Sequence, residues 1–215
     1  MWLLNVNVEA SRFWFASLFI HERMSRMKVI TLTGYKAHEL GIFSHNHRGI
    51  TYIKKAFEQQ ILALIEEGVE WFLISGQLGV ELWAAEVVIK LKQTHPHIQL
   101  AVLTPFLEQE SQWQEASRKK YHDILEAADF VDSITKRPYE GPAQLRLKNE
   151  YLVQKSDGLL VLYDEDKPGS PSYYLEVAKK RQQQEPYDIR LITPHDLEWI
   201  AQEDEMNDSV DIDNL

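Results

Sequence analysis

Trp71 to Glu81 reads WFLISGQLGVE, an apolar run that turns at Ser75-Gly76-Gln77-Leu78-Gly79 and enters a second apolar stretch at once. Four apolar residues closed by a Ser-Gly turn describe a strand buried on both faces. Val80, Leu82, Trp83, Val87, Val88 and Leu91 then recur at the spacing of a helix with a broad apolar face. The same order holds upstream. Val29 to Thr33 is a β-branched strand closed by Gly34, and Ile50, Ile53, Phe57, Ile61 and Leu64 mark one face of a helix ended by Gly68. Downstream, Leu100 to Leu103 predicts a third strand stopped by Thr104-Pro105. A polar helix is expected over 109–128, a strand over 130–135 and a helix over 142–155. Gly158 to Tyr163 is the most hydrophobic strand, a helix is expected over 172–184, and Ile189 to Thr193 closes the series. Strands that are continuously apolar and alternate with helices form an α/β sandwich of three layers, with a mostly parallel sheet covered on both faces.

The composition fits one such domain. Of 215 residues, 44% are apolar and 26% charged, with 9 Gly and 8 Pro, which excludes low-complexity disorder, collagen and repeat arrays. There is no Cys, so disulfide frameworks, thiol nucleophiles and thiolate metal sites are excluded. From Asp196 to Leu215 there are eight acidic residues and no Lys or Arg, so only −2 of the −10 formal charge falls on everything before. The expected organisation is therefore an extension over 1–26, a domain over 27–195 and a solvated, poorly ordered acidic tail over 196–215. The apolar run Phe13 to Ile20 is too short to span a bilayer and lacks the basic start and cleavage site of a signal peptide. Residues 1–26 read either as an amphipathic docking extension or as sequence upstream of a misassigned start; the second is preferred, because Met27-Lys28 opens directly into a strand. No membrane span and a cytoplasmic location are expected.

Ligands of parallel α/β sheets bind at the carboxyl ends of the strands, so the residues after each strand carry the chemistry. Thr33-Gly34-Tyr35-Lys36 follows the first strand, where Gly34 allows close backbone approach and Lys36 offers a point charge to a phosphate. Ser75, Gly76, Gln77 and Gly79 lead into a helix whose N-terminus, carrying Glu81, favours an anion. The alternative reading is a tight turn made for helix–sheet packing, since neither GxGxxG nor a Walker loop is present. Asp164, at the end of the fifth strand, is placed to accept a ribose hydroxyl, and Gly169-Ser170 forms a second Gly/Ser loop before a helix. His45-x-His47 and His95-x-His97 have no evident third ligand, and no metal is expected. No GxSxG elbow supports serine chemistry.

These motifs, in this order, resemble the YpsA family of the SLOG superfamily of Rossmann-like proteins. Thr33-Gly34-Tyr35-Lys36 is similar to that family's opening motif, and Ser75 to Glu81 with Leu82-Trp83-Ala84-Ala85-Glu86 is similar to the superfamily's SGGAxGxD loop and helix. Pro105-Phe106 with Gln109, Trp113 and Tyr121, and Lys148-Asn149 before Ser156-Asp157-Gly158, match its later elements. The resemblance runs from Met27 to about Pro194. It implies a Rossmann-like nucleotide-binding fold and a ligand with ribose and phosphate held across the Gly76/Gly79 and Gly169 loops. It departs from the phosphoribohydrolase loop PGGxGTxxE. Pro168, Gly169 and Glu176 fit, but Ser170, Ser172 and Tyr173 replace the second Gly, the third Gly and the Thr.

The leading expectation is a regulatory protein that senses a nucleotide of the NAD or ADP-ribose kind, which the resemblance connects with stress or cell-division control. Its pocket is expected to hold Thr33, Gly34, Lys36, Ser75, Gly76, Gln77, Gly79, Glu81, Asp164, Gly169 and Ser170. The alternative is a nucleotide N-glycosidase with Glu176 as the catalytic carboxylate. Single-stranded DNA binding ranks third, because it needs a positive groove interleaved with aromatics and the body is slightly negative. A homodimer and a protein partner are left open.

Overall fold

A computed structural model describes residues 28–212. Residues 1–26, and the reading of them as an extension or an upstream stretch, lie outside the described residues. Six strands, β1 (Val29–Thr33), β2 (Trp71–Ile74), β3 (Gln99–Thr104), β4 (Phe130–Ser133), β5 (Gly158–Leu162) and β6 (Asp188–Ile192), form one sheet in the order β4-β3-β2-β1-β5-β6. Every pairing is parallel, with Thr31 beside Leu73 on one side and Leu159 on the other. The described helices are α1 (Arg48–Glu66), α2 (Val80–Leu91), α3 (Glu115–Ala127), α4 (Pro142–Lys155), α5 (Ser172–Gln182) and α6 (Pro194–Ile212). The chain is thus an α/β protein with a Rossmann-like sheet.

Right-handed crossovers decide the layers. Moving from β1 outward to β4 places α1, α2 and α3 on one face. Returning to β5 and β6 places α4 and α5 on the other, and α6 comes back to pack on α1. The first core contains Ile53, Phe57, Ile61 and Leu64 of α1, the periodic positions expected from the sequence, together with Val80, Val88 and Ile200. The second core joins Leu152 and Val153 of α4 to Tyr174, Leu175 and Ala178 of α5. Each fully buried aliphatic side chain contributes about 1.5–3 kcal/mol relative to exposure. The start of β1 is held by Asp157, whose Oδ2 accepts from Lys28 N and Val29 N at 2.9 and 3.0 Å.

Two expectations need correction. The helix expected from 109 begins only at Glu115, because Glu108 adopts φ +56° and the preceding turns bring Gln109 back to the sheet. Through residue 212, the segment expected to be a poorly ordered tail is helical. It forms α6 through Ile212, with Ile200 buried and Asp204 paired to Lys55 of α1. Its acidic residues suggest a solvated coil, but Leu197 and Ile200 pack on the first core and Asp204 pairs with Lys55 of α1.

Candidate functional site

The sheet order reverses between β1 and β5, the place where such folds usually open a crevice. Here Tyr35 fills it. Its ring stacks on Tyr163 at 6.4 Å and 3°. Its hydroxyl accepts from Asp164 N at 2.9 Å and donates to Lys167 O at 2.8 Å. Beside it, Glu39 closes the second loop: Ser170 donates to the carboxylate through N at 2.8 Å and Oγ at 2.6 Å, and Lys36 N donates at 2.7 Å. Burial raises the Glu39 pKa, but these hydrogen bonds and the Lys36 charge outweigh it, so the carboxyl stays below its ordinary value. A Cβ on Gly169 would stand 2.8 Å from Glu39 Oε1, which shows how closely the two loops fit.

The open space lies one strand over. A cleft of about 620 Å³ runs across the carboxyl ends of β1, β2 and β3. Of the expected residues, Lys36, Ser75, Gln77 and Gly79 line it. Gly79 is required there. Its φ is +108°, and a Cβ would lie 2.5 Å from Ala37 N and 2.6 Å from Tyr35 O. Backbone thus meets backbone, and Val80 N donates to Tyr35 O at 3.1 Å. Gln109 ties the third strand end to this loop by donating to Ser75 O at 3.0 Å and Tyr121 Oη at 3.1 Å.

Under the loop sits Glu81, 1% exposed. Its carboxylate accepts from Thr33 Oγ1 at 2.9 Å, Ser75 N at 2.8 Å, Ser75 Oγ at 2.7 Å and Gln77 N at 3.1 Å. Two backbone amides that the sequence offers to a ligand are therefore already engaged by this internal anion. Thr33 and Gly34 are buried beneath the loop. Gly76 packs against Tyr121 and Gln109. Asp164, Gly169 and Ser170 belong to the Tyr35–Glu39 side and do not line the cleft. The two Gly loops thus share a rim of the sheet, with Tyr35 and Glu39 between them. Glu176 is exposed on α5, also away from the cleft.

Sequence reading left Lys148 out of the site. It projects from α4 in the opposite layer, is 4% exposed and lines the cleft. Its Nζ lies 4.5 Å from the centroid of the Tyr174 ring and has no hydrogen-bond acceptor among the described residues. Burial lowers its pKa to about 8; Glu81 opposes that shift and Lys36 adds to it. Burial, reinforced by Glu81, pushes the Tyr174 phenol well above its ordinary value. That hydroxyl stands by Thr33 and Ser75 without completing a hydrogen bond of good geometry. The outer walls of the cleft are aromatic: Phe43, 84% exposed, faces a cleft also lined by Phe106, Trp113 and Tyr139, with Phe106 and Tyr139 paired at 4.9 Å. Lys148 was visible only as part of the Lys148-Asn149 pair, since a lysine inside a helix ordinarily reads as solvated.

Of the paired histidines only His45 lines the cleft, together with His38. His47 Nδ1 accepts from Gly49 N and caps α1, and His95 and His97 contact one another edge to face. Among the described residues no group of three or more His, Asp or Glu is arranged to hold a metal ion. No described helix is long and apolar enough to cross a membrane.

Fold and site together define a Rossmann-like α/β protein with an aromatic-walled cleft at its strand ends that is lined by Lys36, Lys120 and Lys148. The YpsA model, described as the YspA SLOG family, matches residues 30–197, and the chain belongs to that family. It is 54% identical over 183 residues to a UPF0398 protein of Bacillus cereus strain B4264, covering 85% of this chain and 100% of the relative. The same identity and coverage hold for a UPF0398 protein of Bacillus thuringiensis strain Al Hakam. Among solved structures, the single-stranded-DNA-binding DNA processing protein A of Helicobacter pylori aligns with a TM-score of 0.46 and 16% identity. That alignment covers 78% of this chain and 67% of the other.

Proposed function

We propose that the chain is a regulatory binding protein for a phosphate-bearing nucleotide of the NAD or ADP-ribose kind, held in the 620 Å³ cleft. The observation that carries this reading is Lys148, a buried cation on the cleft wall with no acceptor of its own among the described residues. A charge that is poorly hydrated and faces only an aromatic ring is destabilised, and an anionic ligand entering the cleft relieves it. Lys36 supplies a second positive charge on the same cleft, and the aromatic rings of Phe43, Phe106 and Tyr139 offer a flat base a stacking surface. Such a ligand takes its phosphate to Lys36 and Lys148, since the third lysine of the cleft, Lys120, faces Glu86, rather than across both Gly loops, because Glu39 already occupies the Ser170 donors.

A binding role is favoured over N-glycosidic hydrolysis by the state of the carboxylates. Glu176 stands outside the cleft, and Glu81 already accepts four hydrogen bonds, so neither is presented to a sugar carbon. The test is thermal unfolding with ADP-ribose, NAD and nucleoside monophosphates. A ligand at 100 times its Kd adds about 2.7 kcal/mol of stability. Stabilisation by one of them that disappears in Lys148→Met supports the reading; no shift with any of them at millimolar concentration overturns it.

A further inference from the structure

We propose that Lys148 is a nucleophilic lysine that captures the aldehyde carbon of an anionic ligand as an imine inside the cleft. The inference rests on the reading of the cleft as an anion-binding site and goes beyond it by naming the reactive group and the ligand class. That class is a phosphorylated molecule with a free aldehyde or an openable hemiacetal, such as a sugar phosphate. ADP-ribose has such a carbon at its terminal ribose, whereas NAD has that carbon closed by its N-glycosidic bond.

The geometry carries this. An amine becomes a nucleophile when it is desolvated or placed near another cation, since both disfavour its proton. Lys148 meets both conditions: it is 4% exposed and shares the cleft with Lys36. The other groups facing it are Glu81 on α2 and Tyr174 on α5. Glu81 is engaged by Thr33, Ser75 and Gln77, and it forms no ion pair with Lys148. Tyr174 offers only its ring face, 4.5 Å from Nζ. The amine is thus left without an acceptor, in a space large enough for a ligand. Protonated Lys148 and Lys36 draw the phosphate in; once Lys148 gives up its proton, Lys36, after β1, keeps the phosphate and the neutral amine attacks.

In the step, the Lys148 nitrogen forms a C–N bond with the carbonyl carbon, and the carbonyl oxygen leaves as water with the two amine hydrogens. No oxidation or reduction occurs. Borohydride then reduces the imine to a stable secondary amine, which fixes the adduct for mapping.

The experiment treats the full chain with pyridoxal 5′-phosphate or ADP-ribose, followed by borohydride and peptide mapping. In parallel, calorimetry with ADP, which has no aldehyde, reads noncovalent binding. The expected result is an adduct at Lys148 that forms about tenfold or more faster than at any surface lysine at neutral pH. ADP should protect it, NAD should give none, and Lys148→Arg should abolish it while keeping a cation. Labelling should rise through about pH 8, far below the range of ordinary lysines. Adducts spread over surface lysines with Lys148 unmodified, while ADP still binds, overturn the imine and leave the binding reading standing. Loss of ADP binding with Lys148 still labelled by pyridoxal 5′-phosphate overturns the nucleotide reading and leaves the imine standing. Mapping of the unaltered chain reads the result even if Lys148→Arg folds poorly.

Discussion

The Ser75–Gly79 loop and the Gly169–Ser170 loop look alike in sequence, each a Gly/Ser turn between a parallel strand and a helix, but the fold uses them differently. At the first, Glu81 lies beneath the loop and holds it from below, and the space above remains open as the cleft. At the second, Glu39 lies on the ligand side and takes both Ser170 donors, while Tyr35 fills the adjoining crevice. A carboxylate under a loop preorganises it, whereas a carboxylate in front of a loop replaces the ligand. A Gly loop at a strand end is therefore evidence of an anion site only when the position of the internal anion is known.

The comparison is broken or sharpened first by the glycines. Gly79→Ala forces a Cβ into backbone atoms at a positive φ and should cost about 3 kcal/mol or more in urea unfolding. Gly169→Ala meets the tip of a movable carboxylate and a ring edge, and should cost about 1 kcal/mol. Equal losses would mean that the two loops are built alike.

The carboxylates come next. Glu81→Ala strands the buried Ser75 amide, the half-buried Gln77 amide and two hydroxyls and should lower stability by about 3 kcal/mol. Glu39→Ala acts on an exposed cluster and should cost about 0.5 kcal/mol in the same urea unfolding measurement. Because the folded Glu39 pKa is lowered, its contribution is present above the unfolded carboxyl pKa and is lost as pH falls through the folded value.

Lys148→Met should weaken nucleotide binding by about tenfold to 100-fold in calorimetry, without lowering the stability of the free protein at pH 7, because the variant removes an unpaired buried cation. The sign follows from the depressed pKa. Between about 8 and the ordinary lysine value the unfolded chain binds more protons, so the free protein gains stability as pH rises through that window. Anion affinity should fall over the same window, and Lys148→Met should show neither trend. The smallest effect belongs to Ser170→Ala, which removes one bond to Glu39; nucleotide affinity should stay within about twofold. A larger drop would put the second loop back into the binding site.

Much of the fold could be read from local pattern. Ile53, Phe57, Ile61 and Leu64 sit in the core where their period predicts, and the strands from Val29, Trp71 and Gly158 carry the continuous apolar runs of a parallel sheet. The first turns after β3 escaped because Gln109 has helical propensity yet bends back to Ser75, a contact between residues 34 apart in sequence. The acidic α6 escaped because Leu197 and Ile200 on an otherwise polar helix give almost no periodic signal. At the site, Lys36, Ser75, Gln77 and Gly79 were legible from their place after a strand, and Lys148 was not, since its role depends on which residues its helix packs beside.

By itself the sequence determined the alternation of strand and helix, and hence the parallel sheet and the rim at which its loops gather, because hydrophobic period and turn chemistry act over a few residues. Only the tertiary structure decided which loop stays open. The contacts that close one and charge the other, Glu39 to Ser170 across 131 residues and Lys148 beside Tyr174 from a neighbouring helix, are made between segments that no local pattern relates.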